Sequence, residues 1–113
     1  SPRRIHQMSV VLRNERDDSD IRYLSASITA NGNLLIEGHD LGSKVKEILG
    51  FSEYEWSLTI QASEVPILLK ALRTKRKILQ ALKDSFSNEN AGNLEVFLKE
   101  HGISYEFWNR YGD

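Results

Sequence analysis

Glu37, His39 and Asp40 place a carboxylate, an imidazole and a second carboxylate within one four-residue stretch, EGHD. Such groups can exchange protons in general acid/base catalysis, as a hydrolase would use them, and they can form half of a metal site. A working site needs a further contributor brought in by the fold, and Glu53, Glu55 and His101 are the candidates. A plainer reading makes the stretch a turn, with Asp40 capping a following helix and His39 standing in solvent. No spacing in the segment demands more than that. The chain contains no cysteine, which excludes a disulfide scaffold, a thiolate metal site and a cysteine nucleophile. It also lacks the G-x-S-x-G elbow, the Walker A loop, the G-x-G-x-x-G turn and the H-E-x-x-H helix. The sequence therefore implies no metal and no cofactor, and it does not point to an enzyme.

A second chemistry is open to Lys70, Arg73, Lys75, Arg76, Lys77 and Lys83. Between Glu64 and Phe86 these six bases meet only two acids, Glu64 and Asp84, a local balance of +4 in a chain whose net charge is −1. Such a patch can neutralise phosphates and bind nucleic acid in a salt-dependent way. It can equally be the solvated back of an amphipathic helix, its long stems covering apolar surface. Aromatic residues near the C-terminus could add stacking platforms for single-stranded nucleic acid. Trp56 shares its strand face with Leu58 and Ile60 and belongs to the core. Trp108 and Tyr111 are freer, and they could also form a peptide-docking or dimer surface.

These groups hang on elements that the residue pattern defines. Arg22 to Gly38 reads as a β-hairpin around Asn31-Gly32. A three-residue loop of Ala30, Asn31 and left-handed Gly32 sets Ile28 opposite Leu34, Ala26 opposite Ile36 and Leu24 opposite Gly38. All the apolar partners then share one face. A two-residue Asn-Gly turn would instead pair Ala26 with Glu37 and bury a carboxylate. Ser9 to Arg13 is a candidate strand. Asn14 to Asp20, with four carboxylates, reads as a solvated connection, because the glycine and distal glutamate of a calcium loop are missing.

A helix is expected from about Gly42 to Leu49, capped by Asp40 or Ser43, with Val45, Ile48 and Leu49 as its apolar face and Gly50 ending it. Glu53 to Ala62 alternates cleanly, Tyr54, Trp56, Leu58, Ile60 and Ala62 on one face and Glu53, Glu55, Ser57, Thr59 and Gln61 on the other. Ser63 caps the next helix, Pro66 sits in its first turn, and Val65, Leu68, Leu69 and Leu72 form its stripe. Ile78, Leu79, Leu82 and Phe86 resume the stripe, either in the same helix or after a hinge at Thr74. Asn93 caps a last helix that stops at Gly102 with Ile103 behind it, and Ser104 to Trp108 is a candidate closing strand.

Length and composition bound the whole: 113 residues, 40% hydrophobic and 27% charged, describe one globular domain. Residues 1–7, SPRRIHQ, read as a leader or remnant outside it, and residues 8–113 as a single α+β domain. No apolar run is long enough for a membrane helix. The combination of EGHDLG (Glu37 to Gly42), EYEW (Glu53 to Trp56) and HGISYEFW (His101 to Trp108) resembles a group of small bacterial and archaeal conserved-hypothetical domains. The resemblance covers most of Arg22 to Gly112. It implies a fold and a prokaryotic origin, and it transfers no activity and no site residue. The expected architecture is a small antiparallel sheet, hairpin 22–38 plus strand 53–62, packed on one face by three or four helices. The expected role is a cytoplasmic, non-enzymatic protein-interaction or regulatory module with a protein partner and no membrane association. Contact with nucleic acid through residues 70–83 and Trp108 is the alternative, and a site at Glu37, His39 and Asp40 the third reading.

Overall fold

Period-two alternation builds strands whose two faces differ in polarity, and such strands are stable only when the apolar face is covered. The computed structural model describes residues 8–17, 20–50 and 52–112. It contains five strands, β1 Ser9–Arg16, β2 Ile21–Ile28, β3 Leu34–Leu41, β4 Glu53–Ile60 and β5 Glu106–Gly112. They form one antiparallel sheet in the order β1-β2-β3-β4-β5. Helix α1, Ser43–Leu49, joins β3 to β4, while α2 Val65–Ala71, α3 Ile78–Ser85 and α4 Leu94–Glu100 lie between β4 and β5. The fold is a small α+β fold, with a wider sheet than the hairpin and one further strand. No helix among the described residues is long and apolar enough to cross a membrane. Residues 1–7, the leader of the sequence reading, lie outside the described residues.

The hairpin has the register that loop parity requires. Ile28 faces Leu34, Ala26 faces Ile36 and Leu24 faces Gly38. Thr29 donates to the Asn33 carbonyl at 2.9 Å, Gly32 donates to the Thr29 carbonyl at 2.9 Å, and Gly32 is left-handed at φ 83°. Asn33 serves a second purpose, because its side-chain oxygen accepts from the Ala62 N–H at 2.9 Å and caps the chain as it leaves β4.

β1 runs beyond the expected Ser9–Arg13. A register shift between Val11 and Arg13 keeps Leu12 in the core, and Asn14 to Arg16 then pair with Tyr23 to Ile21. Three of the seven residues of the expected solvated connection, Asn14 to Arg16, are thus strand, because pairing with β2 satisfies the backbone that a loop would leave to water, and Asp20 is buried.

One face of the sheet makes the core. Leu12, Leu24, Ala26, Leu34, Ile36, Leu58 and Ile60 meet Leu68 of α2, Leu79 and Leu82 of α3, and Leu94 and Leu98 of α4. Gly38 falls in this layer with no side chain of its own, and the indole of Trp56 on the neighbouring strand fills the space. A Cβ built at Gly38 would stand 2.3 Å from Trp56 Nε1.

The helices are shorter and differently capped than the sequence suggests. Arg73 is left-handed at φ 55°, and the Thr74 hydroxyl accepts from the Arg76 N–H at 3.1 Å, so the 64–86 stretch breaks into two helices. Ser63 lies inside a short 3-10 helix, Ala62–Glu64, and does not cap α2. Gly42 occupies the α1 N-cap position and Asp40 remains in β3. Ile48, expected on the buried side of α1, is 80% exposed, since this helix projects beyond the main layer. Asn93 holds the N-cap position of α4 without a side-chain cap. That helix does close as a Schellman motif, with Ile103 donating to Leu98 at 2.9 Å and Gly102 to Lys99 at 3.2 Å.

Candidate functional site

Successive residues of an extended strand point to opposite faces. Glu37 and His39 therefore project from the face away from the helices, and Asp40 projects toward them. The trio does not converge. What joins His39 instead comes from the next strands, where His39 pairs with Glu55, Glu55 with Arg110, and Leu41 with Glu53. His39 Nε2 lies 2.7 Å from Glu53 Oε2 and 3.8 Å from Glu55 Oε1. Arg110 donates to the same Glu55 oxygen at 2.5 Å, and this bond is the main cause holding the Glu55 carboxyl below its usual range. Glu53 and Glu55 are thus the contributors that the fold supplies. His101 is not, since its ring stacks on Phe97 at 4.1 Å at the end of α4.

The donor atoms of His39, Glu53 and Glu55 lie within 4.8 Å of one another. An imidazole and two carboxylates form a ligand set suited to a divalent ion such as zinc. Here Arg110 already supplies a positive charge to Glu55, so the arrangement is complete as a cross-strand network of Glu53, His39, Glu55 and Arg110.

Asp40 belongs to a different surface. Its carboxylate is 3.8 Å from Arg22 Nε, and burial raises its pKa against the lowering effect of Arg22, Arg13 and His39. It lines a cavity of about 540 Å³ between the sheet end and α1, with Arg22, Tyr54, Val45 and Ile48.

The outer face carries the second concavity, a groove of about 300 Å³. Across the strands its central row is Ser25, Glu37, Ser57 and Trp108. The two serines are short, which leaves a depression on either side of Glu37. Tyr23, 36% exposed, and Trp108, 52% exposed, form its walls. Glu37 is exposed and makes neither a hydrogen bond nor an ion pair among the described residues. Over β2 to β5 this face presents Glu37, Glu53, Glu55 and Glu106 against the single guanidinium of Arg110. The described helices bury their apolar side chains against the opposite face, and on this one Tyr23, Glu37, Glu106, Trp108 and Arg110 are exposed.

No family model matches the chain, and no curated protein or solved structure matches it.

The basic residues occupy the helical side. Lys70 lies in the last turn of α2, Arg73 to Lys77 form the connection to α3, and Lys83 is on α3. All six are exposed, and Arg76 pairs with Asp84 at 2.9 Å. Trp108 projects from the face of the sheet opposite the helices. Tyr23, Ser25 and Ser57 are the groove residues that sequence reasoning passed over. The hairpin register and the alternation of β4 each assign them a face, but only the β3–β4 and β4–β5 pairings place them around Glu37.

Proposed function

We propose that the protein is a non-enzymatic protein-interaction module whose open sheet face receives a lysine or arginine side chain of a partner protein. The observation that carries this reading is Glu37, an exposed carboxylate without a hydrogen-bond or ion-pair partner among the described residues, set between two serines and walled by Tyr23 and Trp108. Aromatic faces attract a cation through the ring quadrupole, and a carboxylate beneath them completes its charge. The serines leave room for a long aliphatic stem along the sheet. The surrounding excess of carboxylates draws basic partners and repels acidic ones. A cytoplasmic, prokaryotic setting belongs to the same proposal, supported by the absence of cysteine and by the resemblance of the EGHDLG, EYEW and HGISYEFW segments.

The test is a titration with oligoarginine and oligolysine peptides, followed by Trp108 fluorescence and backbone NMR shifts, with oligoglutamate as control. Binding is expected for the basic peptides only and weakens with added salt. Glu37→Gln should reduce it by about 5- to 30-fold, the equivalent of roughly 1–2 kcal/mol for a cation seated on a carboxylate and an aromatic wall. An unchanged affinity in that variant, or equal binding of oligoglutamate, would sink the proposal.

One observation favours a second reading. Lys70, Arg73, Lys75, Lys77 and Lys83 make no ion pair among the described residues. That leaves the α2–α3 side available to an anionic partner, with nucleic acid as the candidate. It requires single-stranded oligonucleotide binding that falls steeply with salt and is lost on changing Lys75, Arg76 and Lys77 to Glu.

A further inference from the structure

The two strands that border the sheet differ in how their free edges are protected. β1 is irregular between Val11 and Arg13, is packed by α3 and by the 3-10 helix Asn88–Asn93, and ends in the charged residues Glu15 and Arg16. Bulges, covering elements and charges are the devices that keep an edge from pairing with another chain. β5 has no register shift, and no described helix packs on it as α3 and the 3-10 helix pack on β1. It contains no proline and is exposed from Glu106 to Tyr111. Its far side has no neighbouring strand among the described residues.

This edge is also aromatic on both faces. Phe107 and Tyr111 stack on Trp56 and Tyr54, with ring centroids 6.4 and 4.9 Å apart, and remain 48% and 45% exposed. Trp108, on the acidic face, is 52% exposed.

We propose that β5 pairs antiparallel with β5 of a second copy of this chain, joining two five-stranded sheets across a two-fold axis. The sequence of the strand selects where the axis falls. Faces stay continuous only if the axis passes through a residue, because side chains alternate with period two. An axis at Arg110 would set two guanidinium groups opposite each other, which is unfavourable. An axis at Asn109 pairs every residue of Glu106–Gly112. It sets Phe107 opposite the second copy's Tyr111 and Trp108 opposite the second copy's Arg110. That places a cation on an indole while Arg110 keeps its bond to Glu55.

The magnitude is modest. An aromatic side chain offers about 150–250 Å², so three half-exposed rings contribute roughly 300 Å² per copy, well under a standard interface of ~1,600 Å² even when doubled. Backbone pairing adds to this, and the result is a concentration-dependent dimer rather than an obligate one. It should assemble between about 0.01 and 1 mM.

Sedimentation velocity over that concentration range tests it. The wild-type sedimentation coefficient should rise with concentration, Phe107→Lys should hold the chain monomeric, and Ile67→Lys, on exposed surface of α2, should behave as wild type. Folding of each variant is checked by circular dichroism. Amide hydrogen exchange on the unmodified chain gives a second readout: residues 106–112 should exchange more slowly at high concentration and residues 9–16 should not. A wild-type chain that stays monomeric to about 1 mM overturns the proposal, as does association that persists in Phe107→Lys or protection that appears in β1 instead. Both proposals use Trp108, and Glu37→Gln separates them, since it should weaken basic-peptide binding and leave self-association unchanged.

Discussion

Gly38→Ala isolates the contact between β3 and β4. Gly38 has no unusual φ, so the backbone itself does not require glycine, and alanine in a strand interior would ordinarily gain about 0.5–1 kcal/mol from reduced chain entropy. The requirement comes from Trp56. A Cβ at this position would lie 2.3 Å from both Cε2 and Nε1 of the indole and 2.6 Å from Cζ2. The ring is rigid and rests against the core, so it must move as a body, taking its stack on Phe107 with it. With the ring this close, the cost lies in the upper half of the usual overpacking range, about 2–3 kcal/mol, which leaves a net loss of roughly 1–2.5 kcal/mol after the entropic gain. For a domain of this size that is a fall in Tm of about 4–12 °C. Urea and thermal unfolding followed by circular dichroism give the value. A double-mutant cycle gives the cause, because in a Trp56→Ala background the same Gly38→Ala change should be neutral or stabilising. If Gly38→Ala is as stable as the parent, or equally costly with and without Trp56, the argument from the indole fails.

Two further outcomes concern titration. Glu55 is held below its ordinary 4.5 chiefly by its hydrogen bond from Arg110. Its contribution to stability is thus present above that value and lost as pH falls through the lower folded-state pKa. Arg110→Ala should move the Glu55 carboxyl midpoint back toward 4.5 in an NMR titration, and an unmoved midpoint would contradict the assignment. Tyr105 donates to Glu95 at 2.7 Å, and its pKa is pushed up to about 12, first by burial and then by that bond. The contribution of Tyr105 to stability should therefore be fully present below pH 10 and be lost as pH rises from there through about 12. Ultraviolet titration of Glu95→Gln should show the phenol returning toward 10.

What the sequence determined by itself is local. The parity of a three-residue loop fixed the pairing of Ile28 with Leu34, and with it the face on which Glu37 lies. Alternation placed Trp56, Leu58 and Ile60 on the core side of β4, and Gly102 followed by Ile103 marked the end of α4. The break at Arg73 was open because basic residues tolerate both a helix and a turn, and the backbone settled it through one left-handed residue. The extension of β1 to Arg16 is not legible in the sequence because its polar residues carry no apolar alternation, and pairing with β2 alone makes them a strand.

The candidate sites were decided by tertiary structure. Glu37, His39 and Asp40 are neighbours in sequence, and the pleat divides them between two faces. His39, Glu53, Glu55 and Arg110 are distant in sequence, and two strand pairings assemble them. The same pairings put the Trp56 indole over Gly38 and set Tyr23 and Trp108 around Glu37. Loop-closure cost changes slowly with length, so the residues between β3, β4 and β5 do not by themselves rank one sheet order or register above another. Only the burial of the shared apolar face makes that choice, and the polar side chains opposite are brought together by it.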